Sequence, residues 1–177
     1  MRIADELPTD KPRYREVFGE EFAPTKQDTL DWLASQELVV VPFRAGGPKL
    51  GYPSLAIVPS NAAFFALVLV DLQGWASLEE IGPFTPRSIL YLAPPMRHTH
   101  FGGKQVVVHD RTETLQEVFA YNLYPGPSAK KGVFSVLLDI GEREGWLTLH
   151  ASSVRVRTPY ENETVFMHEG DLGGSAG

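Results

Sequence analysis

Residues 145–177 of the chain are GWLTLHASSVRVRTPYENETVFMHEGDLGGSAG. The apolar stretch at 146–150 predicts one strand, the alternation of valine and arginine at 152–157 predicts another, and the apolar run at 164–167 predicts the last. A Gly-rich segment, 170–177, follows directly. Such a segment commonly opens a helix, where successive backbone N–H groups attract phosphate. The sequence therefore predicts strands that lead into a loop of the phosphate-binding type.

The Gly-rich segment lacks two groups that phosphate chemistry needs. A complete phosphate loop has the pattern G-x-x-x-x-G-K-[ST], in which lysine reaches the phosphates and the hydroxyl binds magnesium. If Gly170 is aligned with the first glycine, the last three residues, SAG, stand where Gly, Lys and Ser or Thr are required. The loop is thus degenerate. Weak binding of an anion by its backbone N–H groups stays an open hypothesis. The candidate phosphate-binding residues are Gly170, Gly173, Gly174 and Ser175.

Composition narrows the class of protein. At 177 residues, the chain is long enough for one domain with a real core. Its formal net charge of -6, from 16 basic and 22 acidic residues, argues against a dedicated nucleic-acid surface. It contains no cysteine, which excludes disulfides, zinc–thiolate sites and thiol catalysis.

No segment has the character of a signal peptide or a membrane helix. The N-terminus mixes charges and prolines, and the longest apolar run, 62–70, is far shorter than the roughly 20 residues that a membrane helix needs. We therefore expect a cytoplasmic protein that does not bind membranes. We predict an irregular lead-in at 1–24 with a turn of helix at 13–18, a single domain at 25–169 and a Gly-rich tail at 170–177.

The pattern along the domain predicts an α+β fold, a mixed sheet of about eight strands with about three helices. Thr25 follows a proline and precedes an apolar stripe, so it is predicted to cap a helix at 25–36. A second helix is predicted at 113–121, capped by 110–112. The remaining predicted strands are 38–43, 54–58, 63–72, 88–92, 104–109 and 133–140.

Three basic residues are candidates for binding an anion. Arg97 lies in the turn 96–103, and a guanidinium fork suits bidentate recognition of carboxylate or phosphate. Lys130 and Lys131 lie beside glycine in the predicted turn 128–132, where two lysines can hold a phosphate as point charges. A solvated surface turn is the alternative in both places.

A metal site is a weaker hypothesis. His98 and His100 are two residues apart, so in an extended segment both imidazoles would point to the same side and could meet a divalent cation. His109, on the next predicted strand, is the only further histidine close by. We predict no metal with these residues as ligands unless a third ligand is supplied.

The end of the chain resembles the nucleotide-binding core of the phosphoenolpyruvate carboxykinase and HPr kinase group. The resemblance rests first on HASSV at 150–154. In addition, residues 120–174 are similar to an uncharacterised bacterial carboxykinase-like family through the segments YPGPSAKKGVFSVLL, EGWLTLHASSV, TPYEN and MHEG. It implies the N-terminal, substrate-side lobe of a phosphotransferase that takes an oxyacid or a phosphorylated small molecule. It implies that nucleotide and Mg bind only when the C-terminal half is supplied, so that no cofactor is expected for this chain by itself.

Two interpretations of this resemblance stay open. Either the chain is a truncated or split protein whose GGSAG ending is a linker introduced by cloning, which is the expectation, or it is a natural stand-alone N-terminal lobe that has lost kinase function. The alternative function is a non-enzymatic binding or assembly module that pairs through an exposed sheet edge, with the missing half or a second copy as its partner.

Overall fold

A computed structural model describes residues 1–47, 51–77, 85–93, 101–122, 127–149, 151–160 and 162–169. The chain divides into two compact units, Met1–Leu137 and Leu138–Gly177. Among the described residues, no helix is both long and apolar enough to cross a membrane.

The first unit alternates strands with helices. Its elements are β1 (Arg2–Ile3), α1 (Tyr14–Phe18), α2 (Phe22–Ala34), β2 (Leu38–Ala45), β3 (Tyr52–Pro59), α3 (Ala63–Gln73), β4 (Ser88–Ala93), β5 (Val106–Arg111) and β6 (Gln116–Tyr121). The helix α4 (Pro127–Arg143) crosses the boundary between the units, and the second unit contains β7 (Ala151–Arg157) and β8 (Glu163–Glu169).

The strands of the first unit form one mixed six-stranded sheet in the order β1-β5-β6-β4-β3-β2. Its centre is parallel, because β4 lies between β3 and β6 and runs in the same direction as both. Parallel neighbours need a crossover connection, and α3 supplies it between β3 and β4. The outer pairs β2–β3 and β5–β6 are antiparallel, and β1 runs parallel to β5. The α+β class and the mixed sheet are thus confirmed, with β7 and β8 forming a separate two-stranded sheet.

Each face of the sheet carries a different helix. Gly132 of α4 lies against Val118, since a Cβ added at Gly132 would be 2.7 Å from Cγ1 of Val118. We call this side of the sheet the α4 face. On the opposite side, which we call the α2 face, the ring of Phe22 contacts the ring of Phe119 at a centroid distance of 5.2 Å. Glycine at position 132 therefore lets α4 approach the sheet closely.

An aromatic core fills the space between α2 and the sheet. Tyr91 stacks on Phe119 at 4.7 Å between ring centroids, and the hydroxyl of Tyr121 lies 2.7 Å from Oγ1 of Thr29. Burial raises the pKa of Tyr121 well above the ordinary tyrosine value, so this buried hydroxyl stays protonated. The fully buried members of this core are Tyr14, Phe22, Ala93, Val108, Phe119 and Tyr121.

The α2 face is only partly covered. Over β2 and β3, its side chains are exposed or half-buried: Val40 is 51% exposed, and Ile57, its register partner, is half-buried. On the α4 face of the same two strands, Phe43, Ala56 and Val58 are fully buried. The α2 helix therefore packs over the β4, β5 and β6 half of the sheet.

On the outer strand β2, the backbone groups of alternate residues point away from the sheet. The N–H of Arg44 donates to the carbonyl of Gly74 at 3.2 Å rather than to β3. Because backbone groups alternate in direction along a strand, the even-numbered residues of β2 point their backbone groups away from β3. Pro42, which has no N–H, is one of these residues.

The structure corrects the type of three predicted elements. Residues 63–72, predicted as a strand, form α3, and residues 133–140, also predicted as a strand, belong to α4. The buried positions reveal the helical period: Ala66, Leu69 and Val70 in α3, and Val133, Val136 and Ile140 in α4. Conversely, the predicted helix at 113–121 is a turn followed by β6, whose burial on both faces hides the strand alternation.

Other boundaries also move. The helix predicted at 25–36 begins at Phe22, with Glu21 as N-cap, so the prediction that Thr25 caps it is wrong. Thr25 is instead buried, and its carbonyl accepts a hydrogen bond from Oγ1 of Thr29 at 2.6 Å. In the lead-in 1–24, the turn of helix predicted at 13–18 is confirmed as α1, whereas β1 and the start of α2 were not expected there. Residues 146–149, predicted as strand, lie before β7 and outside it.

Candidate functional site

The edge of the sheet where β4 and β6 end is the best-placed candidate site. The two strands are parallel neighbours, and their last residues, Ala93 and Tyr121, are register partners. In open sheets with a parallel centre, ligands commonly bind beyond the carboxyl ends of such strands. The chain leaves β6 here and begins α4 at Pro127, so the N-terminal turn of α4 follows this edge.

Three basic side chains lie close enough to the Met1 amino group, at the start of β1, to affect its pKa. Because β1 is parallel to β5 and β5 is antiparallel to β6, the start of β1 lies at the edge where β6 ends. Burial, followed by repulsion from Arg2, Lys131 and Lys11, lowers the pKa of the Met1 amino group. We refer to the Met1 amino group, Arg2, Lys11 and Lys131 as the basic cluster.

The basic side chains of this cluster have no carboxylate partner among the described residues. Within the described part of the chain, Arg2, Lys11 and Lys131 form no ion pair. The Nη1 of Arg2 donates to the carbonyl of Met1 at 2.9 Å, whereas its Nε is buried and has no hydrogen-bond partner there. A buried N–H without a partner is costly, so this Nε lowers the stability of the local structure.

The loop that leaves β6 is anchored at its first residue. Asn122 has a positive φ of 57° and is buried, and its Nδ2 donates to the carbonyl of Lys104 at 2.9 Å. Asparagine tolerates this left-handed conformation better than most residues. The contact joins the end of β6 to the segment before β5 and so fixes where the chain turns towards α4.

The predicted site residues have different outcomes. Lys130 and Lys131, predicted in a turn, lie near the start of α4, and Lys131 is exposed there.

His109 is buried, with Nε2 2.8 Å from Oε1 of Gln116, so it is part of a polar pair inside the core. Among the described residues, no group of histidine and carboxylate side chains could hold a metal ion. Arg97, His98, His100, Gly170, Gly173, Gly174 and Ser175 lie outside the described residues.

A second charged cluster lies on the α2 face. The Nζ of Lys26 is 2.8 Å from Oδ2 of Asp110 and 2.6 Å from Oε2 of Glu117, and Tyr91 donates to Oε1 of Glu117 at 3.3 Å. Burial acts to lower the pKa of Lys26, but its hydrogen bonds with the two carboxylates raise it overall. Burial, with a further contribution from Glu117, raises the pKa of Tyr91 to about 12. These groups satisfy one another and hold α2 on the sheet, which is a structural role.

Sequence reasoning missed a buried ion pair that holds the N-terminal segment. Nη2 of Arg111 is 2.8 Å from Oδ1 of Asp5, and Nε is 2.9 Å from Oδ2. The Arg111 guanidinium also donates to the carbonyls of Leu7 and Pro8, at 3.0 and 3.3 Å. The two charged residues are 106 positions apart, so only the pairing of β1 with β5 reveals the contact.

In the second unit, β7 and β8 form an exposed antiparallel hairpin. Val154 faces Phe166 across the two strands, and each side chain is 51% exposed. Arg155 faces Val165 on the opposite side of the hairpin, so apolar side chains are exposed on both of its faces. A two-stranded sheet of this kind is at best marginally stable in water.

These features define a class: an α+β protein with a mixed sheet and a basic cluster at the carboxyl edge of its parallel strands. The chain belongs to the family described as domain of unknown function (DUF4914), whose model matches residues 1–177. No curated protein matches the chain.

Proposed function

We propose that this chain is the substrate-side lobe of a carboxykinase-like phosphotransferase and has no activity by itself. The observation that carries the proposal is the division after Leu137 into a mixed-sheet unit and a unit built on an exposed hairpin. The Gly-rich segment 170–177 follows β8 directly. This order of a sheet domain, a hairpin and a Gly-rich segment agrees with the resemblance of residues 120–174 to that group.

The exposed hairpin supports a role as part of a larger sheet. Phe166 and Val165 are on opposite faces and both are about half exposed, so a covering layer on either face would remove apolar surface from water. Additional strands and helices of a nucleotide-binding lobe are the occupants that the resemblance implies. Nucleotide and Mg would then bind next to segment 170–177 only when that lobe is complete.

The first unit supports a role in binding an oxyacid. Lys130 and Lys131 follow β6 at the carboxyl edge of the sheet, and in the sequence Arg97 comes four residues after the last residue of the adjacent strand β4. Basic groups from neighbouring strands are suited to a carboxylate or phosphate at that edge. We therefore assign the anion-binding part of the proposed reaction to this unit.

The test compares this chain with a version that continues into the polypeptide encoded downstream of codon 177. Isothermal titration with Mg-ATP and Mg-GTP should detect binding to the extended protein and none to residues 1–177. The control is the extended protein with Gly173→Asp and Gly174→Asp, in which two carboxylates should repel the nucleotide phosphates. No nucleotide binding to a folded extended protein with its native loop would contradict the proposal.

A second candidate function is an assembly module that pairs through the β7–β8 hairpin, and the exposed Val154 and Phe166 favour it. Edge strands of this type can add a strand from another chain. Light scattering should then find a dimer of residues 1–177 that Phe166→Lys converts to a monomer, with Tyr160→Lys in the turn as the matched control. A monomer at all concentrations would exclude self-pairing.

A further inference from the structure

We propose that the outer face of α3 binds a second copy of this chain, so that two α3 helices pack against each other around a two-fold axis. The helix contacts β2 and β3. The fully buried residues of these strands, Phe43, Ala56 and Val58, lie on the α4 face, so α3 covers the sheet on that side. The interface uses neither the hairpin nor segment 170–177, and it therefore goes beyond the proposed phosphotransferase function.

The outer face of α3 is apolar, although the outer face of a surface helix is normally polar. Phe64, Val68 and Leu72 are four residues apart, so they form one ridge along the helix, which we call the α3 ridge. The ridge lies opposite the buried Ala66 and Val70. Phe64 and Leu72 are 59% and 61% exposed, and Val68 is half-buried. A covering layer would remove this apolar surface from water.

The α3 ridge is symmetric about Val68, which favours a second copy as the covering layer. A two-fold axis through Val68 would place Phe64 of each copy against Leu72 of the other. Ridges of residues four apart interdigitate when two helices cross at about 50°, the commonest packing of helices in globular proteins. Asp71, the only charged residue of α3, lies beside the ridge, so the carboxylates of the two copies would lie on opposite sides of the axis, at the rim.

The exposed apolar area is close to what a dimer needs. Trp75 extends the patch, because it forms an antiparallel bridge with Phe43 and bridged residues point to the same side of a sheet. Phe64, Leu67, Leu72 and Trp75 are each about half exposed. At roughly 100 Å² for each of these side chains, two copies would bury about 800 Å² before the rim is counted. An interface of this size is at the low end for specific complexes, so we expect a dissociation constant of micromolar order.

The charge of this region favours a protein over a lipid surface as the partner. Residues 59–76 contain no lysine or arginine, and the chain has a formal net charge of -6. Helices that lie on membranes usually carry basic residues beside their apolar face, which attract anionic lipids. Asp71 would instead be repelled by such lipids.

Sedimentation velocity of residues 1–177 tests the proposal. Between about 1 and 200 μM the native chain should show a monomer–dimer equilibrium. Leu72→Lys places a charge against Phe64 of the other copy at two symmetric positions, so it should weaken dimerisation about a hundredfold, tenfold for each position. Val17→Lys is the matched control, because Val17 is an exposed apolar residue of α1 and its replacement should leave the dissociation constant unchanged. Circular dichroism verifies that both variants fold.

A second variant, Val68→Cys, tests the position of the two-fold axis. The chain contains no cysteine, so the introduced thiol is the only one in each copy. On the axis it lies beside its symmetry mate, and oxidation by oxygen with a copper catalyst should give a disulfide-linked dimer. Val17→Cys, treated in the same way, should stay a monomer on a non-reducing gel.

Several outcomes would overturn the proposal. A monomer at every concentration, or a dimer that Leu72→Lys leaves intact, would exclude this interface. Dissociation by Phe166→Lys alone would assign the dimer to the hairpin. Sedimentation of the native chain, but not of Leu72→Lys, with phosphatidylcholine vesicles would assign the face to a lipid surface. Failure of the nucleotide experiment would leave this result unaffected, because nucleotide binding is expected beside segment 170–177.

Discussion

Arg111 and Asp5 link the segment that follows β1 to the end of the neighbouring strand β5. Their side chains are only 6% and 9% exposed, and the guanidinium also donates to two backbone carbonyls. Removal of the carboxylate by Asp5→Ala would leave a buried positive charge without its partner. We expect a loss of about 3 kcal/mol in the free energy of unfolding, measured by urea denaturation.

The matched control for this change is Glu6→Ala. Glu6 is 65% exposed and pairs with Arg15 on the surface, so its removal should cost about 1 kcal/mol or less. Equal losses in the two variants would show that the buried pair has no special role in stability.

The same carboxylate should make stability depend on pH. Burial acts to raise the pKa of Asp5, but hydrogen bonds from Arg111 and Leu7 outweigh it and lower the pKa below the ordinary aspartate value. A lowered pKa in the folded state means that the stabilisation is complete above the ordinary value and is lost as the pH falls through the lowered one. Urea denaturation below about pH 4 should therefore show a steeper loss of stability in the native chain than in Asp5→Asn. Parallel pH profiles would contradict this assignment.

At the residue scale, sequence reasoning identified Lys130 and Lys131 from their type and their glycine neighbour. It could not identify Arg2 or Lys11, because their place at this edge depends on β1 pairing with β5 and on the contact of Ile3 with Pro12. It also placed His109 among possible metal ligands, whereas the pairing of β5 with β6 brings it to Gln116 in the core. Contacts between distant residues follow from topology, which single-residue chemistry does not contain.

At the scale of elements, short β-branched runs were predictable. The strands at 38–43, 54–58 and 88–92 are confirmed as β2, β3 and β4 because apolar runs of this length between turn residues favour strands. The runs at 63–72 and 133–140 were ambiguous, since apolar residues occupy almost every position and obscure the difference between periods of two and 3.6. The parallel alignment of β3 and β4 resolves the first case, because that connection requires a crossover element.

The contact of α4 with the sheet provides a test at this scale. In an exposed helix, Gly→Ala usually stabilises by up to about 1 kcal/mol. At Gly132 the new methyl group would collide with Val118, so we expect Gly132→Ala to destabilise by about 1–3 kcal/mol in thermal or urea unfolding.

A double-mutant cycle provides the control for this collision. Val118→Ala removes the colliding methyl groups, so Gly132→Ala should cost less in that background than in the native one. Stabilisation by Gly132→Ala in the native background would show that α4 does not pack at this distance.

At the scale of the whole molecule, the two units should differ in autonomy. The first unit contains the six-stranded sheet and the fully buried core, whereas the hairpin of the second exposes its side chains. We expect residues 1–144, which end just after α4, to fold and to melt within a few degrees of the full chain. Circular dichroism and calorimetry measure this directly.

A shorter fragment, residues 1–132, serves as the comparison. It lacks Val133 and Val136, which are fully buried, so it should melt at a much lower temperature or fail to fold. If residues 1–144 unfold while the full chain is stable, the hairpin contributes far more to stability than its exposure indicates.

The outer edge of β2 is closed beside Pro42. Arg44 donates its N–H to the carbonyl of Gly74, and Phe43 forms an antiparallel bridge with Trp75, so the chain itself covers this end of the strand. A second chain that added to β2 would find outward backbone groups beside Leu38 and Val40, and Pro42, the next outward residue, offers it no donor. Two residues are too few to hold an added strand, so this edge is a poor template for the strand pairing that nucleates fibrils.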